Sequence, residues 1–129
     1  MELFMKEKRR ILIVDDDVSV QKVVCEILSS AGQYEIISTG GENVKAEIKK
    51  FLPDLIILDI RMPGKSGYEI LAETRVDALT KNTKVLILSS ITKEAGKSSM
   101  DALRADAYLE KPINPGALKL KVAQLLGNL

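Results

Sequence analysis

Short apolar runs alternate with segments of helical period along this chain, and this alternation constrains the fold more than any other feature. The runs are bounded by polar, turn-rich sequence and lie at residues 11–14, 34–38, 55–58, 85–88 and 105–109. Runs of this length with such boundaries are typical of strands that are buried on both faces of a sheet. Five strands are therefore predicted.

The segments between the runs carry apolar residues at helical spacing. The first has the i, i+3, i+4, i+7, i+8 pattern of an amphipathic helix, which Gly32 would end. Its apolar residues are Val20, Val23, Val24, Ile27 and Leu28. Further helices are predicted before Pro53, over 68–76 and near the end of the chain. Their apolar stripes include Val44, Ile48, Phe51, Leu118, Val122, Leu125 and Leu126.

The segment 93–104 has few large apolar residues and predicts only a weak helix. Strands that alternate with helices require right-handed crossovers, which place helices on both faces of a parallel sheet. We therefore expect an α/β fold with a doubly wound, five-stranded parallel sheet. A chain of 129 residues has the length of one domain, which we place at 10–127 after a short extension at 1–9.

Composition argues against several classes of partner, against an internal disulfide and against a membrane span. The net charge of +1 provides no polybasic field, so no direct binding to nucleic acid or to an anionic membrane is expected. Cys25 is the only cysteine, so no internal disulfide can form and a reducing, cytoplasmic setting is expected. No apolar run approaches the length of a membrane span or of a signal-peptide core.

Chemically reactive side chains follow the predicted strands at the point where each strand ends. They are Asp15 and Asp16, Asp59, Ser89 and Lys111. Because functional groups of an open parallel sheet gather at the carboxyl ends of its strands, we expect these side chains to share one pocket. Crowded carboxylates raise each other's proton affinity unless a cation neutralises them, and an all-oxygen site favours a hard ion such as Mg²⁺. Aspartate can also accept a phosphoryl group covalently.

These residues, together with the spacing Asp59-x-x-Met62-Pro63-x-x-x-Gly67, resemble the receiver domain of two-component response regulators. The resemblance covers about residues 9–127 and implies the CheY-like, flavodoxin-like strand order 2-1-3-4-5. It implies that a sensor histidine kinase or a phosphotransfer protein phosphorylates Asp59 in the presence of Mg²⁺, for which Mn²⁺ can substitute. It also implies that the backbone carbonyl of Arg61 binds the metal and that the bond before Pro112 is cis.

The expected roles follow from the chemistry and the resemblance together. Asp16 and Asp59 are expected to bind the metal directly, and Asp15 through water. Lys111 and Ser89 are expected to contact phosphoryl oxygens. These roles describe a phosphoacceptor signalling domain that promotes its own phosphorylation and dephosphorylation, and not a turnover enzyme.

The resemblance further implies a switch. Ser89 and Tyr108 would move on phosphorylation and change the face formed by the predicted helix 93–104, the fifth strand and the last helix. That face would regulate an unidentified downstream protein, and the chain would be a monomer or a weak homodimer. Two departures from the family pattern lie near this face: Arg104 stands where glycine is common, and Ala107 replaces a frequent acidic residue.

Several alternatives remain open from the sequence. The residues 15–17, and Asp17 above all, could simply cap the following helix. Ser90 competes with Ser89 for the hydroxyl role, and Tyr108 could be a strand aromatic that never moves. The chain could be a pseudo-receiver that is never phosphorylated, or a haloacid-dehalogenase-like phosphatase with Asp15 as nucleophile. A stand-alone receiver is expected, with a fragment of a longer regulator as the alternative.

Overall fold

A computed structural model describes residues 8–62, 66–90 and 105–127. It contains one parallel sheet in the order β2-β1-β3-β4-β5, which confirms the predicted topology. The strands are β1 (Arg9–Val14), β2 (Tyr34–Thr39), β3 (Leu55–Asp59), β4 (Lys84–Ser89) and β5 (Ala107–Glu110). The helices are α1 (Val18–Ser29), α2 (Val44–Phe51), α3 (Gly67–Val76) and α4 (Pro115–Leu125). The weak helix predicted at 93–104 lies outside the described residues.

Successive residues of the central strands face opposite sides of the sheet, as the strand geometry requires. One face packs against α2 and α3, and its strand residues are Leu12, Val14, Ile56, Leu58, Val85 and Ile87. The other packs against α1 and α4, and its strand residues are Ile11, Ile13, Leu55, Ile57, Leu86 and Leu88. The apolar runs are therefore continuous because both of their faces are covered by helices.

The helices largely follow the predicted stripes. Val44, Ile48 and Phe51 are buried along α2. On α1 the buried stripe is narrower than predicted, because Val23 is 47% exposed while Val24 is fully buried. None of the helices within the described ranges has both the length and the hydropathy needed to cross a bilayer.

Charged side chains form ion pairs and hydrogen bonds at the amino edge of the sheet, where the strands begin. One Asp106 carboxylate oxygen accepts hydrogen bonds from Arg75 at 2.7 Å and from the backbone N–H of Val85 at 2.8 Å. The same guanidinium donates to the carbonyl of Thr83 at 2.6 Å. This network ties the end of α3 to the beginning of β4 and the approach to β5.

Candidate functional site

Three carboxylates converge at the carboxyl edge of the sheet. Asp15 and Asp16 follow β1, and Asp59 is the last residue of β3, the strand hydrogen-bonded to β1. One oxygen from each carboxylate lies within 4.8 Å of the others. Asp15 and Asp59 are buried, whereas Asp16 is exposed. The structure therefore brings together the acidic residues that the strand ends predicted, and only one of them faces solvent.

Lys111 directly follows the edge strand β5, and its side chain extends to this cluster. Its Nζ donates to Asp15 Oδ2 at 2.9 Å and lies 3.7 Å from Asp59 Oδ2. Its backbone N–H donates to the carbonyl of Ser89 at 2.9 Å, and its peptide bond to Pro112 is cis. Asp15 and Asp59 thus share the ammonium group of Lys111.

Burial and the neighbouring carboxylates together perturb Asp59. Burial, followed by repulsion from Asp15, raises the pKa of Asp59 to about 6, while Lys111 and the N–H of Arg61 partly oppose the rise. That N–H donates to Asp59 Oδ1 at 3.2 Å. A proton, or a cation supplied from solution, would relieve the remaining repulsion.

Ser89 ends β4, and the register of the sheet brings it to the level just beyond Asp59, which pairs with Leu88. Ser89 is buried and Ser90 is exposed, so the hydroxyl enclosed by the fold beside this edge is that of Ser89.

Tyr108 lies on β5 beside Ile87 of β4, and it is half-buried against the core that also contacts Tyr68. Burial, followed by the nearby Glu110 and Tyr68, raises the pKa of its hydroxyl. The ring therefore sits on the same face of the sheet as α3, next to the strand that ends in Ser89.

Gly67 determines how closely α3 approaches the site. Its N–H donates to the carbonyl of Ile60 at 2.9 Å. A Cβ at this position would overlap the carbonyl oxygen of Asp59 and lie 2.7 Å from Cα of Ile60. Glycine is required because the backbone of the helix start packs directly on the backbone that follows the central carboxylate.

A capping box at the start of α3 was not predicted. The Ser66 hydroxyl accepts from the N–H of Tyr68 at 3.1 Å, and the Glu69 carboxylate accepts from the N–H of Ser66 at 3.3 Å. The Ser-x-x-Glu spacing is the sequence signal that could have identified it.

The third aspartate of the first loop has a different function. The Asp17 carboxylate caps α1 by accepting from the backbone N–H of Ser19 at 2.9 Å, and its bonds to Ser19 lower its pKa. The capping alternative therefore holds for Asp17. Asp15, in contrast, accepts from the N–H of Asp17 at 2.9 Å and from Lys111, so its carboxylate faces the cluster.

Sequence reasoning also missed Gln21. Its side-chain amide donates to the backbone carbonyl of Asp15 at 2.6 Å, and the N–H of Asp15 donates to the carbonyl of Thr39 at 3.1 Å. Both backbone groups of Asp15 are therefore bonded to neighbouring elements. The helical spacing places Gln21 on α1 but gives no signal for this contact.

Comparisons with known proteins agree with this geometry. A protein-glutamate methylesterase/protein-glutamine glutaminase of Trichodesmium erythraeum is 39% identical over 85% of this chain and 32% of its own length. A chemotaxis response regulator of Vibrio cholerae superimposes with a TM-score of 0.84 at 30% identity, covering 92% of this chain and 98% of that chain. The Mn²⁺-bound form of response regulator Rcp1 superimposes with a TM-score of 0.80 at 25% identity, covering 94% and 96%.

The chain spans about a third to a half of the length of the curated relatives that it matches. The family model described as the response regulator receiver domain matches residues 11–123, which is most of the chain. With the acidic cluster, the lysine and the strand order in place, the chain belongs to the response regulator receiver domain family.

Proposed function

We propose that this receiver domain accepts a phosphoryl group on Asp59, from a sensor histidine kinase or a phosphotransfer protein, in a reaction that requires Mg²⁺. The observation that carries the proposal is the cluster of three carboxylates within 4.8 Å of one another, with the Nζ atom of Lys111 2.9 Å from Asp15. Such a cluster is electrostatically unfavourable unless it binds something positive.

The donor atoms fit a hard divalent cation. The cluster offers only carboxylate oxygens, and the pKa of Asp59 is raised first by its burial and then by repulsion from Asp15. Asp16 and Asp59 would bind the ion directly, Asp15 through water, and the backbone carbonyl of Arg61 would complete the protein ligands. Bound Mg²⁺ would neutralise the carboxylates and the incoming phosphoryl oxygens, and Mn²⁺ would substitute for it.

In the transfer step, an oxygen of Asp59 forms a bond to phosphorus while the bond from phosphorus to the donor breaks, and the donor keeps that electron pair. The product is an acyl phosphate on Asp59. Lys111 lies 3.7 Å from Asp59 Oδ2 in the unphosphorylated domain. After transfer its ammonium group would pair with a phosphoryl oxygen as a point charge. The hydroxyl of Ser89 would donate a hydrogen bond to another oxygen.

Output would follow from the same contacts. When Ser89 bonds the phosphoryl group, Tyr108 on the adjacent strand would change position, because phosphorylation adds contacts to only one of two states. The face that includes β5 and α4 would then regulate a downstream protein in the cytoplasm, with no turnover reaction of this domain's own. The domain would comprise residues 10–127.

The test is intact-protein mass spectrometry after incubation with acetyl phosphate and Mg²⁺. The wild type should gain one phosphoryl group that hydroxylamine removes, and chelation of the metal should prevent the gain. Asp59→Asn should gain none. Asp77→Asn is the matched control, because an asparagine oxygen can still accept the hydrogen bond that Asp77 receives from the N–H of Leu79.

Other outcomes would identify the alternatives. The absence of any adduct on the folded wild type would contradict the proposal and favour a pseudo-receiver. An adduct that survives Asp59→Asn but not Asp15→Asn would instead support phosphatase-like chemistry at Asp15.

A further inference from the structure

The metal ligands proposed above differ in how firmly the fold holds them. The Asp15 carboxylate is fixed by Lys111 and by the N–H of Asp17. Asp59 accepts from the N–H of Arg61 and lies at the end of a fully buried strand. Asp16 is the exposed member of the cluster. Less of the surrounding protein restrains the Asp16 side chain, so its direction depends more on the orientation of its own backbone.

Gln21 fixes that backbone. The carbonyl of Asp15 and the N–H of Asp16 belong to the same planar peptide unit. The 2.6 Å hydrogen bond from Gln21 Nε2 to this carbonyl sets the orientation of the plane, and hence the position from which the Asp16 side chain leaves the chain. The donor belongs to α1, whose N-cap is Asp17, so a regular element supports the bond.

The bond is partly sheltered by the end of β2. A Cβ placed on Gly40 would lie 3.9 Å from Gln21 Nε2 and 4.0 Å from the carbonyl oxygen of Asp15. Position 40 therefore lies near the bond, and both the bond and Gln21 are partly buried.

We infer that Gln21 is a positioning residue for the divalent cation: it acts through the Asp15–Asp16 peptide to direct the exposed carboxylate of Asp16 toward the site. The inference rests on the proposed function, since it concerns the same ion. Residues that orient metal ligands from outside the ligand set commonly affect metal affinity by about 10- to 100-fold, and one amide bond to a backbone carbonyl should lie at or below the lower limit.

The experiment measures the binding of Mn²⁺ alone, from the electron paramagnetic resonance signal of the free ion. Gln21→Met keeps the approximate length of the side chain and removes the donor, so it should weaken binding by about 3- to 10-fold. Gln124→Met is the control, because it makes the same change at an exposed position of α4. It should leave the affinity unchanged.

Gln21→Glu separates positioning from electrostatics. An added carboxylate near the site would tighten cation binding if only charge mattered. It would also replace the amide donor with a group that cannot donate to the carbonyl of Asp15. Positioning therefore predicts weaker binding in Gln21→Glu in spite of the extra negative charge, and tighter binding would contradict the inference.

A purely structural role is distinguished by a double-mutant cycle. If Gln21 acts through Asp16, Gln21→Met should have little further effect on Mn²⁺ affinity in an Asp16→Ala background. An undiminished effect in that background would overturn the inference, as would wild-type affinity in folded Gln21→Met. Failure of the wild type to bind Mn²⁺ at all would count against the proposed function itself, so the two failures are distinguishable.

Discussion

The two edges of the sheet use the same kinds of charged residue in opposite ways. At the amino edge each aspartate has its own donors: Asp106 pairs with Arg75 and a backbone N–H, and Asp54 accepts from the backbone N–H of Arg10 at 2.8 Å. At the carboxyl edge Asp15 and Asp59 share the ammonium group of Lys111, and a carboxylate oxygen of Asp16 lies within 4.8 Å of theirs. The amino edge therefore balances its charges, and the carboxyl edge does not.

The difference shows how one sheet separates stability from function. Paired carboxylates at the amino edge hold β4, β5 and the end of α3 together. The unbalanced carboxylates at the carboxyl edge cost stability in the absence of a ligand, and the same imbalance favours cation binding. Changes at the amino edge should accordingly destabilise the domain, whereas removal of charge at the carboxyl edge should stabilise it.

The largest change in stability should come from a methyl group added to Gly67, which packs against the backbone at the carboxyl edge. Gly67→Ala should lower the free energy of unfolding by about 3 kcal/mol, because the new methyl group overlaps the carbonyl of Asp59 and the backbone cannot easily move away. Urea denaturation measures the change. Gly116→Ala is the control, since its Cβ would lie 3.4 Å from the Asn114 side chain, and it should be close to neutral. Equal stability of the two variants would show that the approach of α3 is not tight.

Loss of an amino-edge carboxylate should have the next largest effect. Asp106→Ala should cost about 2 kcal/mol, because the mostly buried guanidinium of Arg75 loses its carboxylate partner and the N–H of Val85 loses the Asp106 acceptor. Thermal and urea unfolding would measure it, with Asp77→Asn as a control that should change stability by less than about 0.5 kcal/mol. A neutral Asp106→Ala would remove the contrast between the edges.

Metal binding should depend on pH at the carboxyl edge. With a pKa of about 6, Asp59 is mostly protonated at pH 5 and mostly ionised at pH 7. Since a ligand carboxylate must lose its proton, Mg²⁺ should bind about tenfold more weakly at pH 5 than at pH 7. Isothermal titration calorimetry at both values tests this, and Asp59→Asn should flatten the dependence. Equal affinity at pH 5 and pH 7 in the wild type would contradict the raised pKa.

The smallest effect is a gain of stability from Asp59→Asn. The folded wild type binds this proton with a pKa of about 6 and the unfolded chain with one near 3.8, so stability falls as pH rises from about 4 to 6 and then levels off. Without metal, Asp59→Asn should therefore be about 1 kcal/mol more stable at pH 7 and show little gain at pH 4. If Asp59→Asn were less stable than the wild type at pH 7, contacts within the folded chain would already stabilise the ionised carboxylate of Asp59, which contradicts this prediction.

Most of the architecture could be predicted from local pattern. The apolar runs predicted the five strands, and the parallel order of those strands brought Asp15, Asp16, Asp59 and Lys111 to one edge. The pattern was less informative where one face of a helix meets solvent: Val23 fits the apolar spacing of α1 yet is 47% exposed. At positions 15–17 it favoured Asp15 and Asp16 as site residues and Asp17 as the best capping candidate, and the contacts of the folded chain show that Asp17 is the cap.

The sequence by itself determined the layers of this protein and the edge at which its reactive groups meet, because hydrophobic period and strand ends are local properties of the chain. The tertiary structure alone decided that Asp15 and Asp59 are buried while Asp16 is exposed, and that Lys111 bonds Asp15 across 96 positions of sequence. It also decided that Gln21 bonds the carbonyl of the Asp15–Asp16 peptide. Those contacts depend on register and on distances between separate elements. The charge imbalance at the carboxyl edge, on which the proposed chemistry rests, arises only when the strands pair.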